Sequence, residues 1–343
     1  MNFKPKNCIA YSETNKRFSI VFTIMILISV FVIISSFTVG YYKIPVKDII
    51  PVIFKGDTNS NSYNIIMNIR LPRIIAAFSI GSALAVSGSA YQGMFKNPLV
   101  SPDILGVSSG AGLGASLAIT MDLPYFYVQI TAFIFGIVSV LLCYFTAHRV
   151  QFGQTISLIL AGMMIQALAN AFTTLLKYVA DPNNTLAEIT FWLMGSLTKV
   201  DRESLLFSIV PMIIGFIILF SMRYRLNVLT LGDDEAKSMG INPKKTRIIA
   251  VAGATLLSAS AVCLGGLIGF VGLMVPHVAR HFVGPQYKRL LPVTFLMGGC
   301  FLLIMDNIAR SALTMEIPLG VIIAFIGAPF FLYLIAVQGA GKQ

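Results

Sequence analysis

Charge is what this chain has least of. Only 11% of its 343 residues are Asp, Glu, Lys or Arg, 14 of them acidic and 25 basic. A soluble domain carries roughly a quarter charged residues. With 56% hydrophobic residues and a mean hydropathy of +0.82, a water-soluble globule is excluded and a polytopic membrane protein is implied. Cysteines are few as well. Cys8, Cys143, Cys263 and Cys300 lie far apart and form no C-x-x-C pair. They read as small buried side chains, not as ligands or disulfides. No A-x-A-like site follows the apolar run Phe18–Gly40, which is too long for a signal-peptide core and reads as a retained span. No G-x-x-x-x-G-K-[ST] loop exists. The nearest fragment, Gly339-Ala340-Gly341-Lys342, lacks the spacing and a preceding strand, so the chain carries no nucleotide-binding motif of its own. The net charge of +11 comes from basic residues in loops between apolar runs, a pattern that sets membrane orientation and gives no reason to invoke nucleic acid.

The charges that are present fence off uncharged windows: Phe18–Gly40, Ile74–Phe95, Ile104–Met121, Leu123–Ala147, Val150–Leu176 and Ser204–Met222. Each is close to the ~20 residues of a spanning helix. Tyr41–Asn68 is polar and reads as external. Asp181–Glu203 reads as a second external segment, with a short surface helix that places Trp192 at the lipid interface. The window Ile248–Pro276 is too long for one span and too short for two full ones. Read as a single span, it leaves 13 of the 25 Lys and Arg inside; read as a span plus a returning half-helix, it leaves 16 inside. The second reading obeys the orientation rule better, and Gly265, Gly266, Gly269 and Gly272 supply its breaks and close contacts. Spans from Leu290 and from Ile317 complete about ten, with residues 1–17 as a cytoplasmic segment, residues 18–343 as a single transmembrane domain, and both termini cytoplasmic.

Small residues are dense along the second span and after Pro102, among them Gly81, Ser87, Gly88, Gly106 and Gly110. They fit close helix packing, or the wall of a wide passage. The loop Arg223–Arg247 is the longest markedly charged stretch between long apolar ones, and it faces the cytoplasm by its basic content. Within it Asp233–Met239 reads as a short helix. Gly232 precedes it, Asp233 and Asp234 suit its N-terminus, and Gly240 fits just past its end. Such a helix is either a solvated connector or a docking element. His277 and His281 are four apart, but Arg280 between them opposes a bound cation and no general base accompanies them, so no metal site is expected.

Four segments in order resemble the FecCD-type permeases, the membrane subunits of ABC importers for ferric siderophores, haem and cobalamin. They are Arg70-Leu-Pro-Arg73, Asn97-Pro-Leu-Val-Ser-Pro-Asp-Ile-Leu-Gly106, Gly269-Phe-Val-Gly-Leu-Met-Val-Pro-His-Val-Ala-Arg280, and Glu316-Ile-Pro-Leu-Gly320 followed by Gly327-Ala-Pro329. Leu231-Gly232-Asp233-Asp234-Glu235-Ala236 lies between the second and third. The resemblance covers nearly the whole chain. It implies a type II ABC importer permease of about ten helices, one of them short and re-entrant, working with a second permease subunit in the cell membrane. It also implies two cytoplasmic ATPase subunits, which use ATP and magnesium, and an external substrate-binding protein. No cofactor is expected on this chain. The resemblance makes Leu231–Ala236, Met239 and Gly240 the ATPase-coupling element. It makes Arg70, Arg73 and Arg310 partners of acidic residues on the binding protein, where a guanidinium grips a carboxylate bidentately. An iron-siderophore complex is the first expectation for the substrate, with haem and cobalamin as alternatives. A secondary transporter is disfavoured because the uncharged windows hold no ionisable relay, and an intramembrane hydrolase because no span carries a catalytic constellation.

Overall fold

A computed structural model of the chain describes residues 6–40, 61–149, 154–313 and 315–340. Most of the external stretch expected at Tyr41–Asn68, the start of the window from Val150, and the tail from 341 lie outside these residues. Among the described residues all regular structure is helical. In chain order the helices are α1 (Lys6–Ser36), α2 (Leu71–Met94), α3 (Val107–Thr120), α4 (Tyr125–Arg149), α5 (Gln154–Val179), α6 (Thr185–Met194) and α7 (Arg202–Ser221). There follow α8 (Arg223–Leu231), α9 (Asp233–Ser238), α10 (Pro243–Gly265), α11 (Val271–Val283), α12 (Tyr287–Ser311) and α13 (Leu319–Ala340). A π-helical segment, Ile65–Arg70, leads into α2. Seven helices are long and apolar enough to cross a membrane, and the shorter α3, α11 and α13 bring the count to the expected ten.

The order from inside to outside follows side-chain size. The spanning window of α2 is 83% buried and that of α10 is 78%, against 17% for α1 and 28% for α5. In lipid an apolar side chain gains little by leaving the tails, so helices associate where small residues let backbones approach. Gly81 lies against the Gly298 carbonyl of α12, and Gly88 against the Gly272 carbonyl of α11; a Cβ at either would collide with that oxygen. Ser87 is fully buried beside them, donating to the Leu84 carbonyl at 3.0 Å and accepting from Ser258 of α10 at 3.1 Å. Gly110 packs on Phe135 and Ser139 of α4, and Gly272 on Pro102 and the Leu84 carbonyl. Gly106, at φ 85°, turns the chain from a 3-10 segment into α3. Gly269 has no heavy atom within 4 Å of where a Cβ would sit.

The chain turns back after α10. That helix stops at Gly265, Gly266 (φ 70°) and Phe270 (φ 61°) take left-handed backbone, and α11 begins at Val271. Its 13 residues rise only about 20 Å, less than a hydrocarbon core of about 30 Å. The helix ends confirm the half-helix. Arg310, near the end of α12, shares Asp306 with Arg73, near the start of α2. Had Ile248–Pro276 been one continuous span, Arg310 would lie at the opposite end. Arg17 of α1 meets the His281 carbonyl at the basal end, where α1 starts; Arg73 and Arg310 lie at the distal end.

One reading is corrected in detail. Trp192 does not face lipid. It is buried on α6 in a cluster with Ala111, Ala115, Ile189 and Val262, because α6 lies across the ends of α3 and α10. The short helix expected within Asp181–Glu203 runs over Thr185–Met194, and α7 begins at Arg202. Cys143, Cys263 and Cys300 are free and buried, as read from the sequence.

Candidate functional site

At the basal end α8 and α9 form a two-helix projection joined at Gly232. The helix α9 starts and stops where the local signals place it. Glu235, three residues after Gly232, folds its carboxylate back against the Gly232 Cα, and Gly232 sits at φ 157°. Gly240, at φ 74°, ends the turn and donates its N–H to the Lys237 carbonyl at 2.9 Å. Ala236 is fully buried, and Asp233 pairs with the buried Arg247 of α10 at 3.0 Å. These two contacts fix α9 on the span that ends in the helix break. Its other face is open: Leu231, Asp234, Lys237 and Met239 are exposed. Lys237 donates to Asp234 at 2.9 Å, which holds the Asp234 carboxyl below its usual range and raises the Lys237 ammonium. A rigid, acid-headed, apolar-edged knob is what this arrangement offers a partner. Just above it, the Tyr287 N–H donates to the Asn227 side chain at 2.8 Å and the Tyr287 hydroxyl to the Ser89 carbonyl at 2.7 Å, so the projection is bonded to α12 and through it to α2.

At the distal end Arg70, Arg73 and Arg310 converge, as a shared face requires, but they do not stand free. Arg73 donates to both Asp306 oxygens, at 2.8 to 3.2 Å, and to both Glu316 oxygens, at 2.9 and 2.8 Å. Arg310 lies 3.1 Å from Asp306 in an ion pair and donates to Asn307. Arg70 donates to the Phe37 carbonyl at the end of α1. Asp306 is fully buried while the Glu316 side chain is 39% exposed. The cluster therefore ties α1, α2, α12 and the lead-in to α13 around one buried carboxylate. Among the described residues, Arg73 and Arg310 share the carboxylate of Asp306, and Arg73 also holds Glu316. Asp306 and Glu316 were not singled out from the sequence as site residues. The signal for Asp306 was its spacing, four before Arg310 on an otherwise apolar helix.

His277 and His281 lie on α11 toward the basal end, His277 with its ring against Phe330. Among the described residues no group of His, Cys, Asp and Glu is placed to hold a metal ion.

Comparison with known proteins agrees with this geometry. The FecCD transport family profile matches residues 26–337. The molybdate import system permease protein of Haemophilus influenzae is 37% identical over 309 residues, covering 89% of this chain and 92% of that protein. The cobalamin import system permease protein of Halobacterium salinarum is 39% identical, covering 79% and 73%. A solved structure described as an inward-facing conformation of a metal-chelate type ABC transporter superposes with a TM-score of 0.82 at 35% identity, covering 93% of this chain and 99% of that one. On the match over nearly its whole length, this chain belongs to the FecCD transport family.

Proposed function

We propose that the chain is the permease subunit of an ATP-driven importer that carries a metal chelate, with an iron-siderophore complex as the first candidate and haem or cobalamin as alternatives. The observation that carries this reading is the α9 projection, locked to α10 on one face and open on the other, in a chain without a nucleotide-binding loop. A rigid helix seated in a nucleotide-dependent groove transmits closure of two ATPase subunits to the spans. ATP and magnesium then belong to the partners, and this chain holds no cofactor. A second permease copy is supported by α5, whose spanning window is only 28% buried within one chain. Asn170 and Thr174 are exposed in the second half of α5, and a polar pair on a spanning face suits a shared central passage. Relatives named for molybdate, cobalamin, hemin and ferric citrate support a substrate among metal complexes and oxyanions.

By the charge rule the basal end is cytoplasmic and the distal end external, in the cell membrane. In a variant lacking the native cysteines, Lys288→Cys should be labelled only from the cytoplasmic side and Met315→Cys only from outside. Labelling of both from one side would break the orientation.

The external arginine cluster is the proposed contact for the binding protein's acidic residues. Arg70→Glu should weaken binding of the external protein more than Arg70→Ala, and wild-type binding should fall with added salt. Equal affinity of Arg70→Glu and wild type, in equilibrium binding to the purified transporter, would remove the arginines from docking.

A further inference from the structure

The α8–α9 projection grips the bundle at two places. One is the Asp233–Arg247 pair, which leads into α10. The other is Tyr287, the first residue of α12, which is 2% exposed. We propose that Tyr287 is the coupling joint through which the state of the ATPases reaches the external docking face, and that the α2–α12 pair transmits it as one rigid unit. The inference rests on the importer reading above and adds to it a positioning residue and a route.

The joint is built from both ends of one residue. The first four N–H groups of a helix have no partner inside it. Gln286, at the N-cap of α12, makes no side-chain cap bond. The Tyr287 N–H donates instead to the Asn227 side chain of α8, at 2.8 Å. Helix α12 is therefore capped from the projection. The Tyr287 hydroxyl donates to the Ser89 carbonyl of α2 at 2.7 Å. That carbonyl lies inside α2, where the Gly93 N–H already serves it in the helical pattern. The extra bond is not needed to satisfy α2; it fixes where α12 and α8 stand on it. The seat is a notch. Gly93 faces the Tyr287 ring, and a Cβ there would overlap the hydroxyl. Arg280 of α11 bonds to the same hydroxyl. Leu226 and Leu229 of α8 are buried, so the projection cannot shift without moving what it sits on.

Beyond the joint, α2 and α12 run for 24 and 25 residues, about 36 Å. Gly81 and Gly298 each lie against the other's carbonyl, and Ser82 donates to the Phe295 carbonyl at 2.7 Å. Backbones in such contact leave no slack between the two helices. At the distal end Arg73 of α2 and Arg310 of α12 close the pair on the buried Asp306. Rigid elements joined by packed contacts of this kind carry coupling between distant sites. A displacement of α8 at the basal end thus arrives at the arginines proposed to meet the binding protein. The coupling is reciprocal: the external protein changes nucleotide affinity by the factor that nucleotide changes its own.

The test uses the assembled transporter in nanodiscs, permease with its two ATPase subunits. It reads the dissociation constant of the external binding protein with and without adenylyl imidodiphosphate, a non-hydrolysable ATP analogue. In wild type the two constants should differ by at least about fivefold, the low end of ordinary coupling between sites. Tyr287→Phe keeps the ring and removes the hydroxyl. It should bring the ratio to within about twofold of one, with ATPase-subunit affinity as in wild type. Asn227→Ala should do the same, whereas Asn227→Asp, which keeps an acceptor for the Tyr287 N–H, should retain the wild-type ratio. The Asn227 pair decides the matter if Tyr287→Phe does not assemble. A role in packing alone would lower stability in these variants without touching the ratio. A wild-type ratio of one, a wild-type ratio kept in Tyr287→Phe and Asn227→Ala, or equal loss in Asn227→Ala and Asn227→Asp would each overturn the joint. Failure of the importer reading looks different: the wild-type permease then assembles with no ATPase subunit, and the joint falls with it.

Discussion

Asp306→Asn should destabilise the protein by about 3–5 kcal/mol, the cost of breaking a buried ion pair from one side. Asp306 is fully buried and holds Arg73 and Arg310 together. Removing its charge leaves two guanidinium groups facing each other at the end of four helices, with water unable to replace the lost partner. The control is Glu316→Gln. Glu316 also binds Arg73 but is 39% exposed, so its removal should cost about 0–1 kcal/mol. A triple variant, Arg73→Met, Arg310→Met and Asp306→Leu, should recover part of the loss, because an apolar cluster removes the desolvation penalties of all three groups together. The measurement is unfolding of the purified protein in detergent with a graded denaturant. Equal midpoints for Asp306→Asn and wild type would mean that the cluster does not hold the external end together.

Leu231→Asp combined with Met239→Asp should cost at least about 2 kcal/mol of ATPase affinity, close to thirtyfold. Both side chains are exposed on the α8–α9 projection, so the variant should unfold like wild type. Gly232 and Ala236 act differently. A bulky residue at Gly232 displaces the Glu235 carboxylate from the start of α9 at a backbone φ of 157°, and one at Ala236 forces α9 off the protein. Those variants should lose coupling together with local order, seen as faster hydrogen exchange over residues 231–247. The pair of results separates a surface that binds from a scaffold that positions. Wild-type ATPase affinity for the double aspartate variant would remove α9 from the interface.

The features legible in the sequence were those written locally. Asp233, Asp234 and Gly240 mark a six-residue helix without help from the rest of the chain. The half-helix was legible because Gly266 and Gly269 break an apolar run whose length fits neither one span nor two. The second span's small residues were legible as a class but not in role. Only the fold shows Gly81 and Gly88 each against a carbonyl of another helix, which makes them packing positions. The arginine cluster was half legible. A shared side of the membrane follows from charge counting, but Arg73 and its counter-ion Asp306 are 233 positions apart, and no local pattern joins them. Trp192 was misread for the same reason: on an amphipathic surface helix an indole suits the interface, and the ends of α3 and α10 that cover it come from distant parts of the chain.

The central claim is that this chain conducts a metal chelate inward when partner ATPases work on α9. The direct measurement is uptake of a labelled chelate into proteoliposomes that hold the permease with its two ATPase subunits, the binding protein outside and ATP enclosed. The account predicts accumulation that requires enclosed ATP, requires the binding protein, and is lost in the Leu231→Asp, Met239→Asp variant. Uptake driven by an ion gradient with neither ATP nor ATPase present would contradict it.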